Sequence, residues 1–322
     1  EAGDLSATIT NASTGYDFGY NVEGAGDVNG DGYDDLLIGS YYGQYGDSGA
    51  AYLVLGSSTP WSGDTAATAA DQYIWGDNNN DYLAGREESM GSGDFDGDGY
   101  SDMALGARGA DDVYSSGGRG YVIFGSSAAG ASATVGDLSD TIIDTDSTSG
   151  DSYVGAAIDG IGDWNGDGYE DLAVGGYWND AAAYDAGMVA VFFGGSSRWA
   201  ANVTTGDADL VVQGVSSSDY LGSALTGLGD QDGDGYDDAA FAATGVDDTA
   251  GSSQGAVYLF MGNATTTGTV SASTADTIIL GSSSSDLLGE SLSSGDVNGD
   301  GVTDLTAGTN HDSLYLFYNG GI

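Results

Sequence analysis

The chain has 322 residues, 50 of them acidic against four arginines (Arg86, Arg108, Arg119 and Arg198), with no lysine and a formal charge of −46. That imbalance excludes nucleic acid and anionic membrane surfaces as partners, because both are polyanions. The lack of cysteine excludes a disulfide framework and thiol chemistry, and 58 glycines against one proline suit a chain of many tight turns.

In chain order, the first apolar segment is short and β-branched, ATIT at 7–10. A second, YDFG at 16–19, leads toward an Asp-rich loop, DVNGDGYDD at 27–35. A third, DLLIGS at 35–40, leaves that loop directly, and a fourth, AYLVLG at 51–56, is the most apolar. The same order then recurs. QYIW, DYLAG, DMALGA and GYVIFG surround a loop at 94–102; TIID, DSYVG, DLAVGG and MVAVFFG surround one at 163–171. LVVQ, DYLG, DAAFAATG and AVYLFMG surround a loop at 230–238, and TIIL, DLLG, DLTAGT and LYLFYNG surround one at 296–304. Each segment is four to eight residues, rich in β-branched or aromatic residues and edged by glycine, so each reads as a strand.

The loops begin 67, 69, 67 and 66 residues apart, which marks a tandem array of one unit. No helical periodicity lasts ten residues, so the fold class is all-β. Four short strands per unit predict a β-propeller of five four-stranded blades in a single domain, 1–322. The blades fall at about 12–76, 77–145, 146–214, 215–281 and 282–322. The last is completed by an N-terminal strand at 5–11, which removes the open sheet edge. A β-solenoid would favour shorter coils.

Each loop carries oxygen side chains at positions 1, 3, 5 and 9, the donor set of a hard cation that takes six to eight oxygens. The ligands are Asp27, Asn29, Asp31 and Asp35; Asp94, Asp96, Asp98 and Asp102; Asp163, Asn165, Asp167 and Asp171; Asp230, Asp232, Asp234 and Asp238; and Asp296, Asn298, Asp300 and Asp304. Position 7 adds the carbonyls of Tyr33, Tyr100, Tyr169, Tyr236 and Val302. The expected cofactor is Ca²⁺, about five ions; Mg²⁺ prefers rigid octahedral sites that keep several waters. Position 12 is an apolar strand residue in every copy, so these are not helix-loop-helix sites. Loops two and four, with four carboxylates each, are expected to bind most tightly. Five ions would raise the charge only from −46 to −36.

The combination of Phe18–Gly19, the loop, the Ile-Gly-Ser and Leu-Gly-Ala strand ends at 38–40 and 105–107, and the fourth strand resembles FG-GAP repeats, the blade unit of the integrin α-subunit propeller. The resemblance covers essentially the whole chain. It implies the blade fold, structural calcium, and a ligand face opposite the calcium loops. It departs from the integrin pattern in blade number, in a relaxed FG pair and in lacking the GAP proline. The loops of the implied ligand face concentrate Tyr41, Tyr42, Tyr45, Tyr114, Tyr177, Trp178 and Tyr184, with Arg108, Arg119 and the sole histidine, His311. Such residues suit sugar stacking or a polar protein partner, and equally suit packing between blades. Arg108 and Arg119 are also expected to pair with Asp111 and Asp112.

No enzyme is expected. A Ser-His-Asp triad could centre only on His311, whose chain neighbour Asp312 is badly placed to orient it. The chain therefore reads as a secreted or surface-displayed calcium-binding propeller, a cell-adhesion or ligand-binding module with a protein or glycan partner. It shows no apolar run of membrane-spanning length. The alternatives are a lectin or carbohydrate-active enzyme using the aromatic face, and a self-associating subunit of a surface layer or filament.

Overall fold

The computed structural model describes residues 7–10, 17–43, 46–59, 63–66, 70–85, 88–110, 116–146, 151–247, 252–310 and 313–318. Five antiparallel sheets follow one another along the chain as the blades of a propeller. Blade one runs outward as β2 (Phe18–Gly26), β3 (Asp35–Ser40), β4 (Ala50–Val54) and β6 (Gln72–Trp75). Blade two runs as β7 (Met90–Gly93), β8 (Asp102–Ala107), β9 (Arg119–Ile123) and β11 (Thr141–Asp144). Blade three is β12 (Val154–Gly160), β13 (Leu172–Gly176), β14 (Met188–Phe192) and β16 (Leu210–Gln213). Blade four is β17 (Leu221–Gly229), β18 (Asp238–Ala243), β19 (Ala256–Phe260) and β21 (Thr277–Leu280). Blade five keeps three strands, β22 (Leu292–Gly295), β23 (Asp304–Gly308) and β24 (Leu314–Phe317). Among the described residues, helix is limited to one turn at Val135–Leu138 and two short 3₁₀ turns.

The middle strands of blades two to four are buried along their length, as in Asp102–Ala107 and Met188–Phe192, except for Arg119 at the start of β9. Neighbouring blades cover both faces of each sheet, so these strands read as continuous apolar runs rather than alternating ones. The cores accordingly lie between blades. Leu53 and Ile74 of blade one pack with Leu105 and Tyr121 of blade two. Ile143 packs with Val174 and Phe192, and Val212 with Phe241 and Tyr258. The inner strands face a central cavity of about 410 Å³ whose lining draws on all five blades, including Val22, Met90, Ile158, Thr226 and Leu292.

The links that lead into the outer strands β6, β11, β16 and β21 contain short strands. β10 (Ala133–Thr134) pairs in parallel with β6, β15 (Asn202–Thr204) with β11, and β20 (Gly268–Ser271) with β16. Each link thus clasps the outer strand of the blade before it and gives blades one to three a fifth strand. These segments are two to four polar residues long, too short for a sequence pattern to reveal.

The fourth such clasp bears on ring closure. β5 (Gly63–Ala66), in the link of blade one, pairs in parallel with the N-terminal β1 (Ala7–Thr10). Ile9 packs beside Tyr52 and Val54 of blade one, as Ile143 packs on blade three. β1 therefore stands where the outer strand of a preceding blade belongs, which is the place expected for it beside blade five. Among the described residues, the ladder of β1 is with β5. A seam between blades five and one results. Val297 of blade five is 58% exposed where its counterparts Val28, Phe95 and Trp164 are buried, and Tyr33 of blade one is 42% exposed.

Candidate calcium loops and ligand face

The five Asp-rich loops share one hydrogen-bond scheme. The position-1 carboxylate accepts the N–H groups of positions 5 and 6, as Asp27 does from Asp31 (3.0 Å) and Gly32 (2.7 Å). Asp94, Asp163, Asp230 and Asp296 repeat it. Position 3 accepts from position 5 as well. The position-6 glycines have φ between 88° and 95°, a left-handed conformation that only glycine adopts readily. The chain therefore curls its oxygens toward one centre.

Position 9 is different. Asp102 Oδ2 accepts from Phe95 N–H (2.9 Å) and Oδ1 from Gly125 N–H (2.8 Å), which ties the loop to the end of the fourth strand. Asp35 and Asp238 make the same pair of bonds, and Asp171 makes its counterpart with Asn165 and Gly194. Burial pushes the Asp102 and Asp171 carboxyls up to about 7 and that of Asp238 up to about 6, while these backbone N–H bonds pull the other way. The other loop carboxylates add repulsion.

One oxygen from each of Asp94, Asp96 and Asp102 falls within a 4.8 Å cluster, as do those of Asp230, Asp232 and Asp234. Calcium–oxygen bonds of about 2.3–2.6 Å place opposite ligands about 5 Å apart, so both groups have the span of a calcium shell. A bound divalent cation there would neutralise carboxylates that otherwise repel one another.

Neighbouring loops touch. Tyr100, Tyr169 and Tyr236, at position 7, lie over Gly30, Gly97 and Gly166 of the preceding loop, where a Cβ would come within 2.4–2.5 Å of the ring. Glu170 accepts the N–H of Asp94 (3.1 Å), and Asp237 that of Asp163 (2.8 Å). Loop two has an additional neighbour. Arg198, from the link after β14, donates through Nε to Asp96 Oδ2 (2.5 Å) and through Nη2 to Asp98 Oδ2 (3.3 Å).

The other face begins where β3, β8, β13 and β18 end. About six residues of strand carry the chain about 20 Å from the Asp-rich loops to this face. Here aromatic rings touch in series. Tyr41 contacts Tyr20, Tyr42 and Tyr82 at centroid distances of 6.2, 4.9 and 5.0 Å. The Arg108 guanidinium lies 4.9 Å from the Tyr82 ring and 5.7 Å from Tyr153. Tyr153 meets Tyr177 (5.5 Å) and Trp178 (4.6 Å), and Tyr177 meets Tyr220 (6.4 Å). The series spans blades one to four.

Tyr41, Tyr42, Arg108, Tyr177 and Trp178 thus come together. Tyr184 lies near Tyr220 and is 68% exposed. Arg119 lies within the blade, its Nε 2.5 Å from Asp144 Oδ1 across the β9–β11 ladder. Tyr45, Tyr114 and His311 lie outside the described residues, as do Asp111 and Asp112. Tyr20, Tyr82, Tyr153 and Tyr220 are aromatics of this face that sequence reasoning missed. The signal was available, because three of them sit in the DYLAG, DSYVG and DYLG segments that were read only as strand starts.

A model of the FG-GAP repeat family matches residues 18–54, 88–123 and 288–321, the first to third strands of blades one and two and most of blade five. The chain carries FG-GAP repeats. It is also partially homologous to integrin α subunits. Integrin alpha-PS5 of Drosophila melanogaster is 34% identical over 106 residues, 32% of this chain and 10% of the relative. Integrin alpha-5 of Xenopus laevis is 32% identical over 94 residues, 29% and 9% respectively. The match thus spans about a tenth of the length of these curated relatives. The FG signal of the repeats has a structural meaning here. Tyr82, Tyr153, Tyr220 and Leu287 take φ of 50–60°, which turns the next residue back onto the preceding blade. Leu83, Val154, Leu221 and Leu288 then form parallel bridges to Gly49, Gly118, Gly187 and Gly255.

The FG-GAP propeller also encloses three acids that sequence reasoning missed. Glu23, Glu88 and Asp159 line the central cavity. Burial, and then the charges of Glu23 and Glu88, raise the Asp159 carboxyl well above its usual range. Their signal was lost among 50 acidic residues.

Proposed function

We propose that this chain is an extracellular, calcium-stabilised binding module of the adhesion type, which takes a protein or glycan ligand on its aromatic face. The observation that carries the reading is the uninterrupted series from Tyr20 to Tyr220, with Arg108 held between two rings. Large amphipathic rings supply contact area at low entropic cost and are enriched at binding surfaces. Most of them stand in the turns at one end of the strands, while the loops at the opposite ends carry the proposed calcium ligands. The partial homology to integrin α subunits supports an adhesion role. No helix among the described residues is long and apolar enough to cross a membrane. Binding rather than catalysis is the reading, since the face brings together rings and one guanidinium.

The test is a screen of glycans and extracellular-matrix proteins in millimolar calcium and again in chelator. A calcium-dependent ligand is expected. Tyr177→Ala and Trp178→Ala should each weaken it about tenfold or more, the scale of an interface hot spot, with the thermal melt preserved. Binding that is indifferent to both substitutions would move the site off this face. No ligand in either condition would favour self-association, which sedimentation at rising concentration detects.

A further inference from the structure

The five loops are alike in sequence but not in surroundings. Among the described residues, loop two alone has an arginine bound to it. Arg198 reaches Asp96 and Asp98 from 102 and 100 positions away in the chain, and its guanidinium lies 4.3 Å from the Phe124 ring. The next residue anchors it. Trp199 donates its indole N–H to the Phe193 carbonyl (2.9 Å) and packs against Phe95, Phe124 and Phe192. Asp96 is almost fully covered, whereas the Arg198 side chain remains 44% exposed. Phe95 and Asp96 are themselves loop-two residues, so the Arg198–Trp199 pair is a built-in support for that loop.

We propose that Arg198 is a resident counter-cation of loop two, which lowers that loop's affinity for calcium and keeps it ordered without the ion. The inference rests on the calcium reading above. With Arg198 in place, the ligand positions of loop two carry the same net charge as those of the Asn-containing loops, and only loop four keeps four uncompensated carboxylates at its ligand positions. The expectation that loops two and four bind alike is thereby replaced by one tightest site, loop four. The effect has two parts. A fixed positive charge beside a divalent ion weakens its binding by about tenfold even where water screens the pair. The same charge removes repulsion among the carboxylates when no ion is bound.

The experiment is calorimetric titration of calcium into wild type, Arg198→Gln and Arg198→Lys. Arg198→Gln should tighten one site about tenfold, while Arg198→Lys, which keeps the charge, stays near wild type. In the Asp94→Asn background, which removes loop-two binding, Arg198→Gln should change nothing. Site affinities that are unchanged or weaker in Arg198→Gln overturn the proposal. A second measurement needs no variant. Amide exchange of the wild type in chelator should protect Asp98 and Gly99 more than their loop-four counterparts Asp234 and Gly235. Equal protection would also overturn it. A wild type that takes up no calcium would instead refute the calcium reading itself.

Discussion

Asp159 shows how one carboxyl can couple the molecule to pH. Its folded pKa is raised, chiefly by burial and then by Glu23 and Glu88, so folding favours its protonated form. Among the described residues, the cavity lining holds no basic side chain beside these three acids. A raised carboxyl contributes stability below the ordinary carboxylate pKa of about 4, and that contribution is lost as pH rises toward the folded value. The stability attributable to Asp159 therefore declines between weakly acidic and neutral pH. Asp159→Asn is neutral throughout, so it should raise the Tm at pH 7.5 and have little effect at pH 4. A gain of about 2–4 °C would correspond to 1 kcal/mol in a domain of 150–250 residues. Thermal melts at the two pH values measure it, and a lower Tm at pH 7.5 would show that the carboxylate is needed there. The acids at position 9 obey the same sign, but a cation bound in the loops would act on them as well, so Asp159 gives the cleaner measurement.

At the scale of the loop, blade and neighbour, the contact of position 7 with position 4 joins loops two, three and four each to the one before it. Tyr169 covers Gly97 closely, whereas Gly233 has nothing within reach of a Cβ, because blade five carries Val302 where the others carry tyrosine. Removing a fully buried aromatic side chain costs about 3–5 kcal/mol, and a partly buried ring less, about 1–2 kcal/mol. Tyr169→Ala should therefore lower the Tm measurably in calcium, while Val302→Ala leaves it nearly unchanged. Equal effects in a calorimetric melt would mean that the tyrosine is a surface residue with no role between blades. The strand elements themselves were legible in the sequence, since glycine-edged apolar runs recur on a fixed period. The link strands β5, β10, β15 and β20 were not. They owe their form to parallel pairing with an outer strand that lies elsewhere in the chain.

For the whole molecule, the seam between blades five and one is the weak point. β1 is held by blade one, and Val297 and Leu314 of blade five are 58% and 69% exposed. Deleting residues 1–11 removes the partner of β5 and uncovers Tyr52 and Val54. The truncated chain should melt at lower temperature and self-associate, because an unpaired edge is a template for another chain. A monomer with an unchanged melt, judged by sedimentation and calorimetry, would show that β1 is dispensable. Chelation should compound the loss, since carboxylates that repel when empty sit at every blade. A chelated chain that melts like the calcium-loaded one would argue against structural calcium.

The repeat, the strand order, the all-β class and the pattern of the Asp-rich loops were determined by the sequence alone. Each depends on residues a few positions apart: Asp27 and Gly32 belong to one turn, and spacing suffices to place them. What the tertiary structure decided involves residues that are distant in the chain and adjacent in space. It set Arg198 on loop two, gathered Tyr20, Tyr82, Tyr153 and Tyr220 with the loop aromatics, placed the half-buried Asp159 beside Glu23 and Glu88, and gave β1 to β5. Those pairings depend on how one blade rotates against the next, and local patterning carries no record of that angle.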